Sequence, residues 1–191
     1  ELGLYIIEEA CRDAQKFQKE GKPLSISVNI SPKQLESAVF VREVRRILQE
    51  VDLHDIQLIL EVTERSLLST SHRILERIRE LKQMGIQMSM DDFGMGHSSM
   101  MYLQENAFDE VKLDGSLVRQ ILENERSQDI VRGITRLAAS MQFHVVAEFV
   151  ETREQMELLK ALHCDIYQGY YYGKPCSCDE FIAIYLKQEV S

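Results

Sequence analysis

Six polar residues recur at comparable places along this sequence, and their types suit phosphate chemistry carried out with metal ions. Asn29, Glu61, Asp91, Lys112, Glu148 and Gln168 stand at the C-terminal ends of successive short segments with strand-like patterning. For Asn29, Glu61 and Asp91, alternation of side chains puts the polar group on the face opposite the large apolar residues. Carboxylates brought together with one lysine and two amides repel one another unless cations neutralise them, and Mg2+ and Mn2+ prefer such hard oxygen donors. Adjacent Asp91 and Asp92 suit one carboxylate bridging two ions and the next binding one. Two ions about 3.5–4 Å apart are a usual device for hydrolysing phosphodiesters. The Asp91-Asp92-Phe93-Gly94 run also contains a triplet found in kinases, but the glycine-rich loop and catalytic-loop motif of that class are absent from the sequence. A metal-dependent barrel lyase with Lys112 as base is a further reading of the same residues. His163, Cys164, Cys176 and Cys178 offer zinc-type donors, yet Cys-x-Cys departs from the usual Cys-x2-Cys spacing and reads as ordinary packing.

Such positions need a scaffold that delivers strand ends to one place. Ile7, Ala10, Cys11, Ala14 and Phe17 predict a leading helix closed by Gly21. From Leu24 to Ile30, apolar Leu24, Ile26, Val28 and Ile30 alternate with Ser25, Ser27 and Asn29, which predicts a strand. Leu35, Val44, Ile47 and Leu48 predict one helix. Further strands are predicted over Gln57–Val62, Ile86–Asp91, Glu110–Asp114, Phe143–Glu148 and Asp165–Gln168. Between them run helical stripes: Ile74, Leu75, Ile78 and Leu81 up to Gly85, then Ile130, Ile134, Leu137, Ala138 and Met141. Thr152 with Gln155 and Ser177 with Glu180 are capping boxes that open the last two helices. Six strand-then-helix units predict a parallel sheet. Doubly wound sheets carry strands that are apolar on both faces. Here several strands have one polar or small face, which favours a (β/α)8 barrel whose inner face converges on one axis. An open α/β sheet is the alternative, and it would show strands out of chain order.

The bulk properties are those of an ordinary globular domain: 191 residues, 45% hydrophobic and 28% charged. That composition excludes a disordered tail, and no apolar run is long enough for a membrane span. Net charge is -9, from 22 basic and 31 acidic residues. This excludes a nucleic-acid polymer as partner, since phosphate neutralisation needs a basic face, but it admits a small anion held by metal ions. Four cysteines without scaffold spacing point to a reducing, cytoplasmic setting. The chain begins at Glu1 without a signal peptide and reads as a piece of something longer, with no membrane contact of its own.

These residues carry a resemblance. The sequence resembles the EAL-domain family, bacterial phosphodiesterases of cyclic di-GMP. The matching segments are Ser27-Val-Asn-Ile-Ser-Pro32, Leu60-Glu-Val-Thr-Glu64, Asp91-Asp-Phe-Gly-Met-Gly-His-Ser-Ser99, Val111-Lys-Leu-Asp114, Val146-Ala-Glu-Phe-Val-Glu-Thr152 and Gln168-Gly-Tyr-Tyr-Tyr-Gly-Lys-Pro175. They occur in family order and together are highly specific. The resemblance implies a (β/α)8 TIM-type barrel, incomplete here, with about six βα units over residues 1–191 and its first two strands missing. It implies that Asn29, Glu61, Asp91, Asp92 and Glu148 coordinate two Mg2+ or Mn2+ ions. Lys112 matches the lysine that positions the attacking water, and Glu151 and Gln168 match accessory active-site positions. Glu64 matches the glutamate anchoring the loop after the aspartate pair. Asp114, Ser31 and Pro32 fall near the nucleotide. The segment 93–99 resembles one linking the site to homodimerisation. The implied reaction opens one phosphodiester of cyclic di-GMP to linear pGpG, in a parent protein with an upstream GGDEF or sensory domain. The Glu-Ala-Leu tripeptide is absent from this chain, so one metal ligand is lost and the fragment is expected to be weak alone. Phe149 replaces the usual glycine, and Met95 and His97 replace the usual Thr and Tyr; His97 reads as a loop contact. A non-catalytic EAL module, acting as a cyclic di-GMP receptor or dimerisation domain, is the alternative.

Overall fold

A computed structural model of the chain describes residues 2–18, 24–53, 56–67, 73–94 and 100–186. Helix α1 (Leu2–Gln18) precedes β1 (Leu24–Asn29), the short α2 (Pro32–Leu35), α3 (Ala38–Glu50) and β2 (Ile56–Thr63). Next come α4 (Glu64–Leu67), α5 (Arg73–Lys82), β3 (Gln87–Phe93), α6 (Met100–Gln104) and β4 (Glu110–Leu113). They are followed by α7 (Gly115–Arg119), α8 (Glu125–Met141), β5 (His144–Ala147), α9 (Arg153–Ala161), β6 (Ile166–Tyr167), α10 (Cys178–Phe181) and a π-helical turn at Ile182–Leu186. The six strands hydrogen-bond in chain order, β1-β2-β3-β4-β5-β6. The β1–β2, β3–β4, β4–β5 and β5–β6 pairs are parallel. A doubly wound sheet requires a reversal of strand order. Sequential parallel strands joined through helices define instead an incomplete α/β barrel.

The chain divides into two compact units. The first comprises Glu1–Glu61, Ser71–Gln87 and Pro175–Ser191. Ile7, Cys11 and Ala14 of α1 are fully buried at helical spacing. The single helix predicted over residues 35–48 is in fact two. Ser37 accepts a hydrogen bond from the Phe40 N–H and opens α3, leaving α2 as one turn under its own Ser31 cap. Phe40, Val41, Val44 and Ile47 form the buried face of α3, while Leu48 is only half-buried. Strands β1 and β2 run in register from Leu24 opposite Ile56 to Asn29 opposite Glu61.

The second unit comprises Val62–Thr70 and Met88–Lys174. All of β4 is buried, and so are Val145, Val146 and Ala147 of β5. Helix α8 starts at the Asn124 cap and buries Ser127, Val131, Ile134, Thr135 and Ala138. The predicted stripe members Ile130, Leu137 and Met141 are half-buried at its margin. Three predicted strands overrun the observed ends. Asp114 leaves β4 to cap α7, accepting from the Ser116 N–H at 2.8 Å. Glu148 and Gln168 lie one residue beyond β5 and β6.

Candidate active site

The aspartate pair sits on a backbone irregularity. Met90 faces Val111 and Phe93 faces Leu113, so Asp91 and Asp92 together stand against the single residue Lys112. Two residues against one is a β-bulge. Asp92 takes a left-handed φ of 56°, and its N–H donates to Asp91 Oδ1 at 2.9 Å. In a regular strand adjacent side chains point to opposite faces. The bulge suspends that rule for the two consecutive carboxylates Asp91 and Asp92.

The charges around the bulge are coupled. The Asp92 carboxyl is pushed above its usual range by partial burial, then by the charges of Asp91 and Asp114, while Lys112 pulls it back. Lys112 is 5% exposed, and its Nζ lies 2.8 Å from Glu148 Oε1. Register accounts for this pair. Lys112 stands opposite Val146, and Glu148, two residues on, shares that face. Around the pair, Asp114 Oδ1 accepts from the Ser116 hydroxyl at 2.6 Å and so serves α7 directly. Glu64 is buried at the first position of α4. Gln168 is knitted in by its backbone, donating to Ala147 O at 2.8 Å and accepting from the Val150 N–H at 3.1 Å. The Glu151 N–H donates to Gln155 Oε1 at 2.8 Å. A cavity of about 350 Å³ is lined by Arg119, Glu148, Phe149, Glu151, Gln168 and neighbours.

In the first unit, Asn29 and Glu61 are register partners at the ends of adjacent strands, on the same face by strand geometry. Asn29 is exposed, whereas Glu61 is 4% exposed. The Ile30 N–H donates to Glu61 O at 2.9 Å, which fixes the strand end. Ser31 and Pro32 follow as the cap and first residue of α2. Met95 and His97 lie outside the described residues, as does the rest of 95–99.

Among the described residues, no three His, Cys, Asp or Glu side chains are already gathered as a metal site. Glu148 is ion-paired with Lys112. The donor chemistry nonetheless fits divalent cations. The Asp91–Asp92 pair concentrates hard oxygen donors where burial and like charge make a bare carboxylate unfavourable. The zinc reading finds no support. Cys164 is buried, and burial followed by the Asp165 charge pushes its thiol up to about 12, while Cys176 is exposed.

Phe149 stood out in the sequence, whereas Arg119 beside it did not. Phe149 has a left-handed φ of 56°, and the Arg119 guanidinium lies 4.0 Å from its ring centroid. The glycine-to-phenylalanine departure at 149 was the visible signal for the first. Arg119 gave none, because α7 is too short to announce itself by periodicity.

Sequential parallel strands with carboxylates, a lysine and amides at their C-terminal ends follow the plan of an α/β barrel. The chain belongs to the EAL domain family, whose pattern is matched over residues 1–175. It is 40% identical over 178 residues to an uncharacterised signalling protein of Caulobacter vibrioides, covering 93% of this chain and 22% of that one. It is 33% identical over 189 residues to the cyclic di-GMP phosphodiesterase NbdA of Pseudomonas aeruginosa, covering 97% of this chain and 24% of that one. The chain thus spans about a quarter of the length of these curated relatives. Among solved structures it is similar to the PaMucR phosphodiesterase in complex with c-di-GMP, with a TM-score of 0.85 and 33% identity over 94% of this chain and 73% of that one. It also resembles a manganese/cy-diGMP complex of Klebsiella pneumoniae BlrP1, with a TM-score of 0.81 and 26% identity over 91% of this chain and 44% of that one.

Proposed function

We propose that this chain, residues 1–191 acting as one EAL domain, is part of a phosphodiesterase that hydrolyses one phosphodiester of cyclic di-GMP to linear pGpG. The observation that carries the reading is the Asp91–Asp92 bulge set against Lys112, with Glu148 paired to that lysine. The names of NbdA and of the PaMucR complex supply the substrate. Asn29, Glu61, Asp91, Asp92 and Glu148 are the residues that hold Mg2+ or Mn2+. When bound, such ions make water acidic enough to attack near neutral pH and offset charge on the phosphate. Glu148 fixes the ammonium of Lys112 at the strand end, where it orients the attacking water. Asp114 holds the start of α7, Glu64 anchors the start of α4, and Glu151 and Gln168 wall the mouth, with Ser31 and Pro32 at the nucleotide. Most of the rate gain asked of these residues is positioning and charge stabilisation. This domain works in the cytoplasm as a homodimer, following an upstream GGDEF or sensory domain in its parent protein.

A turnover assay with Mn2+ tests the reading, comparing this chain with a version extended upstream through a Glu-Ala-Leu segment. The extended protein hydrolyses cyclic di-GMP. This chain alone, short of one carboxylate ligand, is slower by at least about 10–100-fold. No turnover by a folded extended protein that still binds the dinucleotide overturns catalysis. That result establishes the second reading, a non-catalytic receptor, which the bulky Phe149 in place of the usual glycine favours.

A further inference from the structure

Phe149 adopts a φ of 56°, a conformation that bulky residues rarely take. Its ring lies over Gly115, the first residue of α7, so closely that a Cβ at position 115 would sit 2.5 Å from a ring carbon. The Arg119 guanidinium, one turn further along α7, lies 4.0 Å from the ring centroid, at cation–π distance. Gly115 therefore makes room for the ring, and Arg119 holds it there. The backbone that follows is fixed independently. The Val150 N–H donates to Gln168 O at 3.1 Å, and the Tyr171 N–H donates to Val150 O at 3.0 Å. Gly169 permits this approach, since a Cβ there would lie 2.2 Å from Val150 O. The turn after β5 is thus held by an aromatic contact to α7 and by backbone bonds to residues 168–171. Glu148, paired with Lys112 at 2.8 Å, immediately precedes it.

We propose that Phe149 is a positioning residue: its ring, seated over Gly115 and held by Arg119, fixes the left-handed turn that sets Glu148 against Lys112. Strained backbone persists only where its surroundings over-determine it. At 42% exposure the ring is not held by core burial, so the Gly115 seat and the Arg119 contact are those surroundings. The catalytic consequence rests on the phosphodiesterase reading; the clamp itself does not.

Two measurements test it. The first needs neither metal nor substrate: thermal denaturation of Gly115→Ala in the wild-type chain and in a Phe149→Gly background. The added methyl lowers Tm in the wild type and has little effect once the ring is gone. A Gly115→Ala chain that fails to fold and is rescued by Phe149→Gly supports the seat equally. Equal losses in both backgrounds overturn it. The second uses the upstream-extended protein. Phe149→Ala and Arg119→Ala each lower kcat about 10-fold, as loss of support behind a metal ligand does, while KM changes little. Phe149→Tyr restores the rate, and calorimetric Mn2+ affinity falls in parallel with kcat. Wild-type kcat and Mn2+ affinity in Phe149→Ala overturn the positioning role. If the extended wild type hydrolyses nothing, the phosphodiesterase reading fails, and the stability cycle with Mn2+ affinity still decides the role of Phe149.

Discussion

Asp92 carries two features that oppose the stability of the metal-free fold. Its backbone is left-handed, and its carboxyl, on an exposed residue, is raised by partial desolvation and by the charges of Asp91 and Asp114. Both are costs to the metal-free fold. Asp92→Gly removes both, so the metal-free chain gains on the order of 1 kcal/mol, read as a higher Tm. The same change in the extended protein lowers turnover by at least about 100-fold. A lower Tm in Asp92→Gly would show that the carboxylate has a structural partner that outweighs these costs. The buried thiols give a pH dependence of defined sign. Burial and then Glu8 raise Cys11 from 9.0 to about 11; burial and then Asp165 raise Cys164 from 9.0 to about 12. Below the unfolded value both states keep the proton, and these groups leave stability unchanged. Above it the unfolded chain sheds protons that the folded chain retains, so stability falls as pH rises toward the folded values. Tm therefore drops between about pH 9 and pH 11, and drops less steeply in Cys11→Ala, even though that variant starts lower. Parallel slopes in the two proteins would remove Cys11 from the account.

At the scale of elements, α9 is tied to the site through its N-terminus. Thr152 and Gln155 form a reciprocal capping box. Gln155 Oε1 accepts from both the Glu151 and Thr152 N–H groups, at 2.8 and 3.1 Å, and Gln155 Nε2 reaches Val118 O at the end of α7. Thr152→Ala costs about 1 kcal/mol by loss of the cap. Gln155→Ala costs more, about 1–3 kcal/mol, because the buried Gln155 side chain bonds the Glu151 and Thr152 N–H groups and Val118 O together. Amide exchange at Glu151 and Thr152 accelerates in Gln155→Ala, and unchanged exchange there would place the cap's influence elsewhere. This cap was legible in the sequence, because its two partners are three residues apart. So were the six strands, the first three by local alternation and the rest as short segments between helical stripes. Three features were not legible, and each for a physical reason. Helix α7 spans only Gly115–Arg119, less than two turns, so no periodicity can develop. The break between α2 and α3 depends on Ser37 winning a cap over helix continuation. The bulge at Asp91–Asp92 is a property of the pairing with β4, and no single strand's pattern contains it. The Lys112–Glu148 pair belongs with the bulge. Both residues stood out as polar strand ends, but their contact follows from register between β4 and β5.

At the scale of the whole molecule, a net charge of -9 gives any divalent cation a general attraction to the protein, and this must be separated from binding at the bulge. The two differ in their response to salt and to mutation. Diffuse attraction is screened when the Debye length falls to about 3 Å at 1 M salt, whereas ligation by paired carboxylates is retained. A ligand that binds only the folded state stabilises it by about 2.7 kcal/mol at 100 times its dissociation constant. Mn2+ therefore raises Tm in a saturable, chelator-reversible way that survives high salt. Asp91→Asn leaves the net charge one unit less negative but removes a carboxylate from the bulge. A control such as Asp129→Asn, at an exposed position of α8, changes net charge by the same amount. The Mn2+ shift is lost in Asp91→Asn and kept in the control. Equal shifts in both variants, or a shift abolished by salt alone, would make the cation effect one of bulk charge and remove the bulge from the candidate metal centre.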